Sequence, residues 1–486
     1  METKFKQTFR PMILAVLSLL MATACSNDDI ELTTRQPAGA NGIPFTATIS
    51  MSGSQTRALS DPDGENKIQA TWADGEHVAL VYKVGSTTVV TDATVTAVDN
   101  GSGQMKGTIS ATLDAGVTTG TPVTLIYPYS AVNTTAGDDY GKVRNDLFTA
   151  QNGLLTGDGS ISATCDLRQG TGTITLATTP ASLSHDVTMA SQIAIWKLSL
   201  MNYEDGATNA YALTTKSLTI KDGSDNVLAA TSTLGTGKSE FYMALPVSGT
   251  GIKIEAVSGS DTYVLSKSGV TLTASTFYQS TAKLARLLNS AKLPSGSGTS
   301  ASPGDVGKVV SADGRLFTTT AAATDAGTSG VAMIAYLGNA SDCANGLAIA
   351  LEDVSSNTLS YNNNGSYNEG KTAAEWCSEW NTSKAVTGGT WRLPSTKDWQ
   401  HMFLGCGASG SYSDSPYDLG QGMSYKELKT KLNDAGGTAL KTDSYWTSTE
   451  YVSGNSPWYV FFTTRHATFY LGKVRHSYYV RACLAF

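Results

Sequence analysis

Six cysteines and five histidines are the residues of this 486-residue sequence with the clearest potential as nucleophiles, metal ligands or cross-links. Cys25 follows Met21-Ala22-Thr23-Ala24. A thiol behind such small residues suits acylation at sulfur, followed by cleavage that frees its own amine. Cys343, Cys377, Cys406 and Cys483 share the last third of the sequence. In a secreted chain they are expected to form disulfides rather than to serve as nucleophiles. Four cysteines allow three pairings, and Cys483 is expected to bridge one of the other three. Each bridge would add about 2–4 kcal/mol. Cys165 stands apart and is expected to be a small buried apolar residue. His466 and His476 each follow an Arg. On neighbouring strands they would meet across a hairpin and hold a metal or an anion, although two solvated edge positions are the plainer expectation. His185-Asp186 has no G-x-S-x-G partner. No phosphate loop, dinucleotide fingerprint or paired-carboxylate site occurs. The sequence therefore predicts no catalytic residue, no metal site and no cofactor, hence no enzyme.

These groups need elements to hold them, and composition says which kind. Lys and Arg number 34 against 41 Asp and Glu, a formal net charge of −7, and charged residues make up only 15% of the chain. So few charged residues exclude a coiled coil, and a net acidic chain without a basic tract excludes nucleic acid as the main partner. A hydrophobic share of 41% excludes wholesale disorder, and 48 Gly among many Ser and Thr point to strands and turns. The length suggests roughly three domains at about 150 residues each.

Lys4, Lys6 and Arg10 precede an apolar stretch from Pro11 to Ala24, too short to span a bilayer. The segment ending at Cys25 resembles a bacterial lipobox, with Ala22 where Leu is usual. An ordinary secretory signal with an incidental Cys is the alternative. Asp28 and Asp29 resemble the surface-export signal of Bacteroidales lipoproteins. The expectation is a surface-exposed outer-membrane lipoprotein held by lipid alone.

The expected divisions are a lipoprotein signal peptide over 1–24, a tether over 25–42, β-sandwiches over 43–181 and 182–290, a linker over 291–302, and a third domain over 303–486. Phe45 to Ser50 and Val89 to Val95 alternate at period two, as antiparallel strands do. Ile193 to Leu200, Tyr242 to Pro246 and Ile252 to Val257 continue the pattern. Pro294 to Pro303 is the small-residue linker. Beyond it lie six of the eight Trp, with helices expected over Lys371–Trp380, Ser395–Leu404 and Tyr425–Asn433. Ser395 followed by Asp398 predicts a capping box. This part reads as α+β.

Residues of about 43–290 resemble a fimbrillin of the Bacteroidales type V pilus. The residues that carry the resemblance are Thr56-Arg57-Ala58, Trp72 to Leu80, and Tyr127-Pro128-Tyr129. Further along come Ile193 to Trp196, Ala244-Leu245-Pro246 and Thr276-Phe277-Tyr278. The resemblance implies two β-sandwich domains and proteolytic processing at Arg57, with Arg35 as the fallback. A plain exposed Arg is the alternative for Arg57. It also implies loss of the first strand and its replacement by a strand donated from another pilus subunit. The alternating strand Phe45 to Met51 fits that role, since its removal would expose an apolar slot and an open edge.

Residues of about 303–486 resemble the C-type-lectin-like domain of collagen-like bacterial adhesins and Fibrobacter major paralogous proteins. The carrying residues are Thr390 to Ser395 before Asp398-Trp399, Tyr445 to Glu450, and Tyr479 to Cys483. In that family Trp391 and Arg392 are more often structural, which implies core packing and a buried Arg ion pair or hydrogen-bond set. The calcium-binding triplets of animal lectins are absent, so calcium-dependent sugar binding is in doubt. A related fold serves formylglycine-generating enzymes, but their active-site pattern is absent. The resemblance implies ligand contact from the long-loop region, Gly405 to Ser444. Tyr412, Tyr417, Tyr425 and Trp458 are the candidates to stack on a glycan or protein ligand. Together the two resemblances imply a tip subunit. Its fimbrillin part accepts a strand, and its own last strand runs on into a further domain and is not free to be donated. The alternative is a lipid-anchored glycan-binding protein that does not polymerise.

Overall fold

A computed structural model describes residues 42–51, 71–98, 105–132, 148–151, 153, 165–246, 251–288, 304–338, 343–362, 367–415, 422–451 and 456–486. Cys25, Arg35, Arg57 and Tyr417 lie outside the described residues. The chain is mostly β and forms two compact units. The first takes the described residues of 1–53, 70–144 and 167–191, the second those of 145–166 and 192–486.

In the first unit, β1 (Ile43–Met51), β2 (His77–Val84), β3 (Thr87–Val98), β4 (Lys106–Leu113) and β5 (Pro122–Tyr127) are followed by β6 (Arg168–Thr175), β7 (Ser182–Leu183) and β8 (Val187–Ser191). They pair in the order β5-β2-β3-β4-β1-β8-β6-β7, and β5 also pairs β6, so the sheet closes on itself. Closure removes free edges. Two neighbours of β1 differ in sense: β4 runs antiparallel to it, β8 parallel. Trp72, fully buried, packs edge-on against Tyr127 at 5.2 Å, and the Tyr127 hydroxyl donates to Glu76 at 2.8 Å. Trp72 and Glu76 on one side and Tyr127 on the other, far apart in sequence, thus form one contact. Gly107 leaves room for the indole, because a Cβ there would sit 2.9 Å from Val95 and 3.1 Å from the Trp72 ring.

The second unit opens with β9 (Ile193–Asn202), β10 (Tyr211–Ala212), β11 (Ser217–Asp222), β12 (Val227–Ala230), β13 (Glu240–Pro246), β14 (Ile252–Ser258), β15 (Asp261–Lys267) and β16 (Phe277–Arg286). The order is β10-β9-β16-β15-β14-β11-β12, and β13 also pairs β9, from Glu240 opposite Ser199 to Pro246 opposite Ile193. Ile195 stands opposite Ala244 on β13 and Phe277 on β16. Three fragments that carry the resemblance, Ile193 to Trp196, Ala244 to Pro246 and Thr276 to Tyr278, are therefore brought together on adjacent strands of one sheet. Gln151 joins them from far upstream: its side-chain amide donates to Ala244 O at 2.8 Å and accepts from Ala244 N at 2.9 Å.

The rest of the second unit is α+β. β17 (Val309–Ser311), β18 (Leu316–Phe317), α1 (Thr320–Asp325), β19 (Gly330–Leu337), β20 (Gly346–Ala350) and β21 (Leu359–Ser360) come first. α2 (Ala373–Ser378), α3 (Trp380–Ser383), β22 (Thr390–Arg392), α4 (Thr396–Gly405), β23 (Met423–Ser424) and α5 (Lys426–Asp434) follow. β24 (Ser444–Glu450), β25 (Pro457–Phe462), β26 (His466–Leu471), β27 (Ser477–Tyr478) and β28 (Cys483–Ala485) complete it. One sheet runs β18-β17-β19-β20-β28-β22, a second β23-β26-β25-β24, and β21 pairs β27. Ser395 and Asp398 form both halves of the expected capping box at the start of α4. Asp398, buried, also takes Arg392 at 2.7 Å, and Trp391 is buried with its indole N–H on Lys384 O at 2.7 Å.

Candidate functional site

The strand β1 is built to be held from all sides. Its side chains alternate, and Phe45, Ala47, Ile49 and Met51 are buried in the core of the first unit. Its backbone pairs β4 from Ile43 opposite Leu113 to Ser50 opposite Lys106. The other edge is filled in two parts. Thr46 N donates to Ala181 O at 2.8 Å and Ala181 N to Pro44 O at 2.9 Å. Ile49 to Met51 then pair with Val187 to Met189 on β8. Without β1, β4 and β8 would each present an unpaired backbone edge above an apolar groove. Four inward side chains would leave that groove, each worth about 1.5–3 kcal/mol for the larger ones.

A second joint lies where β16 leads into residues 304 onward. Arg286, at the end of β16, donates to Glu204 at 3.2 Å and to Asp305. Lys308 reaches Glu204 at 2.7 Å and Asp305 at 3.2 Å, and Asp261 stands 3.9 Å from Arg286. Burial by itself disfavours the guanidinium charge. The Asp305 hydrogen bond and the charges of Glu204, Asp305 and Asp261 outweigh it and hold Arg286 above its usual range. The same surroundings push the Tyr263 phenol up to about 12, burial first and the Glu204 charge next. Backbone bonds reinforce the joint, with Thr318 N on Glu204 O at 2.8 Å and Leu288 N on Gly314 O at 2.7 Å. Tyr203, Ala285 and Leu288 share one hydrophobic cluster with the α+β part. The α+β part is therefore packed onto the sheet that contains β9 and β16.

Two of the four expected stacking residues are corrected by burial. Tyr425 is 1% exposed; it packs on Phe462 and donates its hydroxyl to Thr463 O at 2.6 Å. Trp458 is 4% exposed because it shares the inward face of β25 with Val460 and Phe462. Neither ring has a face left for a ligand. Tyr412 is half-buried, stacked on His401 at 4.6 Å, with Asp414 at 3.1 Å from its hydroxyl. The expected disulfides are corrected too. No disulfide joins any described cysteine, and Cys343, Cys377, Cys406 and Cys483 are all buried. Burial pushes the thiols of Cys377 and Cys483 well up, and that of Cys406 up to about 12, so they behave as small apolar side chains. Cys165 is buried, as expected. His476 engages the Tyr478 hydroxyl at 2.8 Å, while His466 opens β26 from an exposed position. Among the described residues, no group of three or more His, Cys, Asp or Glu is placed to hold a metal, and no helix is long and apolar enough to cross a membrane.

Sequence reasoning missed an aromatic face. Trp446 on β24 stands opposite Tyr459 on β25, and Tyr459 opposite Tyr470 on β26. Tyr478 lies 4.4 Å from Trp446 and 4.5 Å from Tyr459, and Tyr361 lies 5.3 Å from Trp446. No local signal marks it: Pro457 to Phe462 is apolar or aromatic at every position, and only the burial of Trp458, Val460 and Phe462 shows that Tyr459 and Phe461 take the outer face.

No family model matches the chain, and no curated protein matches it. Solved structures similar to it include a fimbrial protein from Bacteroides ovatus ATCC 8483, 14% identical, covering 92% of this chain and 99% of that chain with a TM-score of 0.28. A putative cell adhesion protein from Bacteroides fragilis NCTC 9343 is 14% identical, covering 50% and 96% with a TM-score of 0.27. A fimbrial assembly protein from Parabacteroides distasonis ATCC 8503 is 13% identical, covering 50% and 94% with a TM-score of 0.26.

Proposed function

We propose that this chain is the tip subunit, an adhesin, of a cell-surface pilus, made as an outer-membrane lipoprotein and assembled by strand exchange. The observation that carries this reading is β1. It is an internal strand with a full backbone ladder on β4, a shared edge on Ala181 and β8, and an apolar inward face. In this reading Cys25 is acylated, and a protease cuts after Arg57 and releases β1. A strand donated by another pilus subunit then refills the groove, exchanging backbone bonds and placing its own alternate side chains in the vacated positions. Many such bonds formed together make dissociation slow.

The second joint supports the terminal position. β16 runs parallel to β9 from Phe277 to Leu284 and ends in Arg286, which is tied to the buried carboxylates of Glu204 and Asp305. A strand tied in this way, with residues 304–486 following it, is not free to fill another groove. The subunit accepts a strand and donates none, which ends a fibre. The α+β part then meets the target, a host or bacterial surface ligand.

Mass spectrometry of sheared native fibres tests this reading at the amino terminus. A start at Ala58, with immunogold at fibre ends, is the expected result. An acylated Cys25 start with no fibre association would sink it in favour of a lipid-anchored glycan-binding protein that does not polymerise.

A further inference from the structure

We propose that the outer face formed by β24, β25, β26 and β27, with Tyr361 beside it, binds the C–H face of a gluco- or galacto-configured pyranose. The inference rests on the reading that the α+β part contacts the target, and it names the ligand class and the residues.

The floor is Trp446. It is fully buried, and its indole N–H is fixed on Leu359 O at 2.7 Å. Tyr361, Tyr459 and Tyr478 stand on it with ring centres at 5.3, 6.3 and 4.4 Å. Tyr470 extends the surface from Tyr459, at 5.7 Å and tilted by 32°, and is 46% exposed. Gly472 keeps the arrangement open, since a Cβ there would fall 2.8 Å from the Trp446 ring and 3.2 Å from the Tyr459 ring.

Polar groups are set among these rings. The Tyr478 hydroxyl lies 2.8 Å from His476 Nδ1, and its ring packs against that of Tyr459 at 4.5 Å. Burial first, then the neighbouring Tyr459, pushes the Tyr478 phenol up to about 12, so it stays a neutral donor and acceptor. The Glu450 carboxylate accepts from the Tyr361 hydroxyl at 2.9 Å.

A pyranose matches this layout. Gluco- and galacto-configured rings carry a contiguous patch of C–H bonds on one side and hydroxyls around the rim. The patch meets the negative faces of the aromatic rings, and the rim meets phenol, imidazole and carboxylate. Tyr is also common at protein-binding surfaces. The phenol hydroxyls, imidazole and carboxylate set among the rings favour a polyhydroxylated ring, whose own donors and acceptors can join the Tyr478–His476 and Tyr361–Glu450 hydrogen bonds, over an apolar protein anchor, which offers them nothing.

The test uses the full chain in detergent solution, titrated with lactose, cellobiose and N,N′-diacetylchitobiose and read by tryptophan fluorescence and calorimetry. Saturable binding of at least one disaccharide is expected. Tyr470→Ala should weaken it about tenfold or more, while Tyr211→Ala, at an exposed tyrosine of β10, leaves it unchanged. Tyr459→Phe keeps the ring and removes the hydroxyl, and should weaken binding roughly three- to tenfold. Three silent titrations overturn the proposal, even if Tyr470→Ala abolishes adhesion to a protein-coated surface. Unchanged affinity in Tyr470→Ala, or in Tyr459→Phe, also overturns it. The outcome is separable from the fibre test. An Ala58 start without sugar binding removes this site and leaves the tip reading, and sugar binding with an acylated Cys25 start does the reverse.

Discussion

The strand that opens the first unit and the strand that closes the second sandwich are held by different physics. β1 is kept by backbone bonds on both edges and by four inward apolar side chains. The apolar contacts are non-directional and the backbone bonds do not depend on side-chain identity, so any strand with the same alternation satisfies both. β16 ends in Arg286, whose guanidinium needs Glu204 and Asp305 at particular places. A buried charge of this kind accepts no generic substitute. The contrast teaches that exchangeability is a property of the contact type. An apolar slot specifies a pattern, whereas a buried ion network specifies a partner.

The largest expected effect comes from breaking the network. Arg286→Met leaves Glu204 and Asp305 buried with only Lys308 between them, and should lower stability by about 3–5 kcal/mol in chemical denaturation. An unchanged midpoint would mean that the joint is held by Tyr203, Ala285 and Leu288 alone. Next is Ile49→Ala, which empties one position of the slot and should cost about 2–5 kcal/mol. The loss should appear in the first unit only, as faster amide exchange in β4 and β8. A smaller change is expected from Ser395→Ala, which removes one half of the α4 capping box for about 1 kcal/mol. It touches neither joint and so calibrates the other two.

The smallest effect concerns pH. His401 lies between Tyr336 and Tyr412, and burial, aided by Lys397 and opposed by Asp398, holds its imidazole below the ordinary value. The folded state therefore binds the proton less readily than the unfolded one. Stability is complete above about pH 6.5 and declines as pH falls through that value. Melting temperatures measured from pH 7 to pH 5 should fall less steeply for His401→Gln than for the native chain.

Legibility in the sequence followed the range of the interaction. The alternation of Phe45, Ala47, Ile49 and Met51 was readable because strand parity is local, as was the cap at Ser395 and Asp398. The α+β character beyond residue 303 was readable from its helices and Trp content. The aromatic face was not, and the reason is specific. Pro457 to Phe462 is apolar at every position, so a period of two has no phase, and nothing local says whether Trp458 or Tyr459 faces inward. Tyr425 was misread because its burial depends on Phe462 and Thr463, both distant in sequence. Cysteine spacing likewise carries no distance, so it could not show that the four thiols of the α+β part are buried without a cross-link. The Gln151 link to Ala244 spans 93 positions and leaves no periodic trace.

The parallel pairing of β16 with β9 has a mechanical consequence. A pull applied to residues 304–486 reaches the sandwich at the Arg286 end of β16, while the chain enters β9 at Ile193, beside the opposite end of β16. The two strands are then dragged past one another along their length. Their rungs carry the load together, as glued plates do in shear, rather than opening one after another like a zipper.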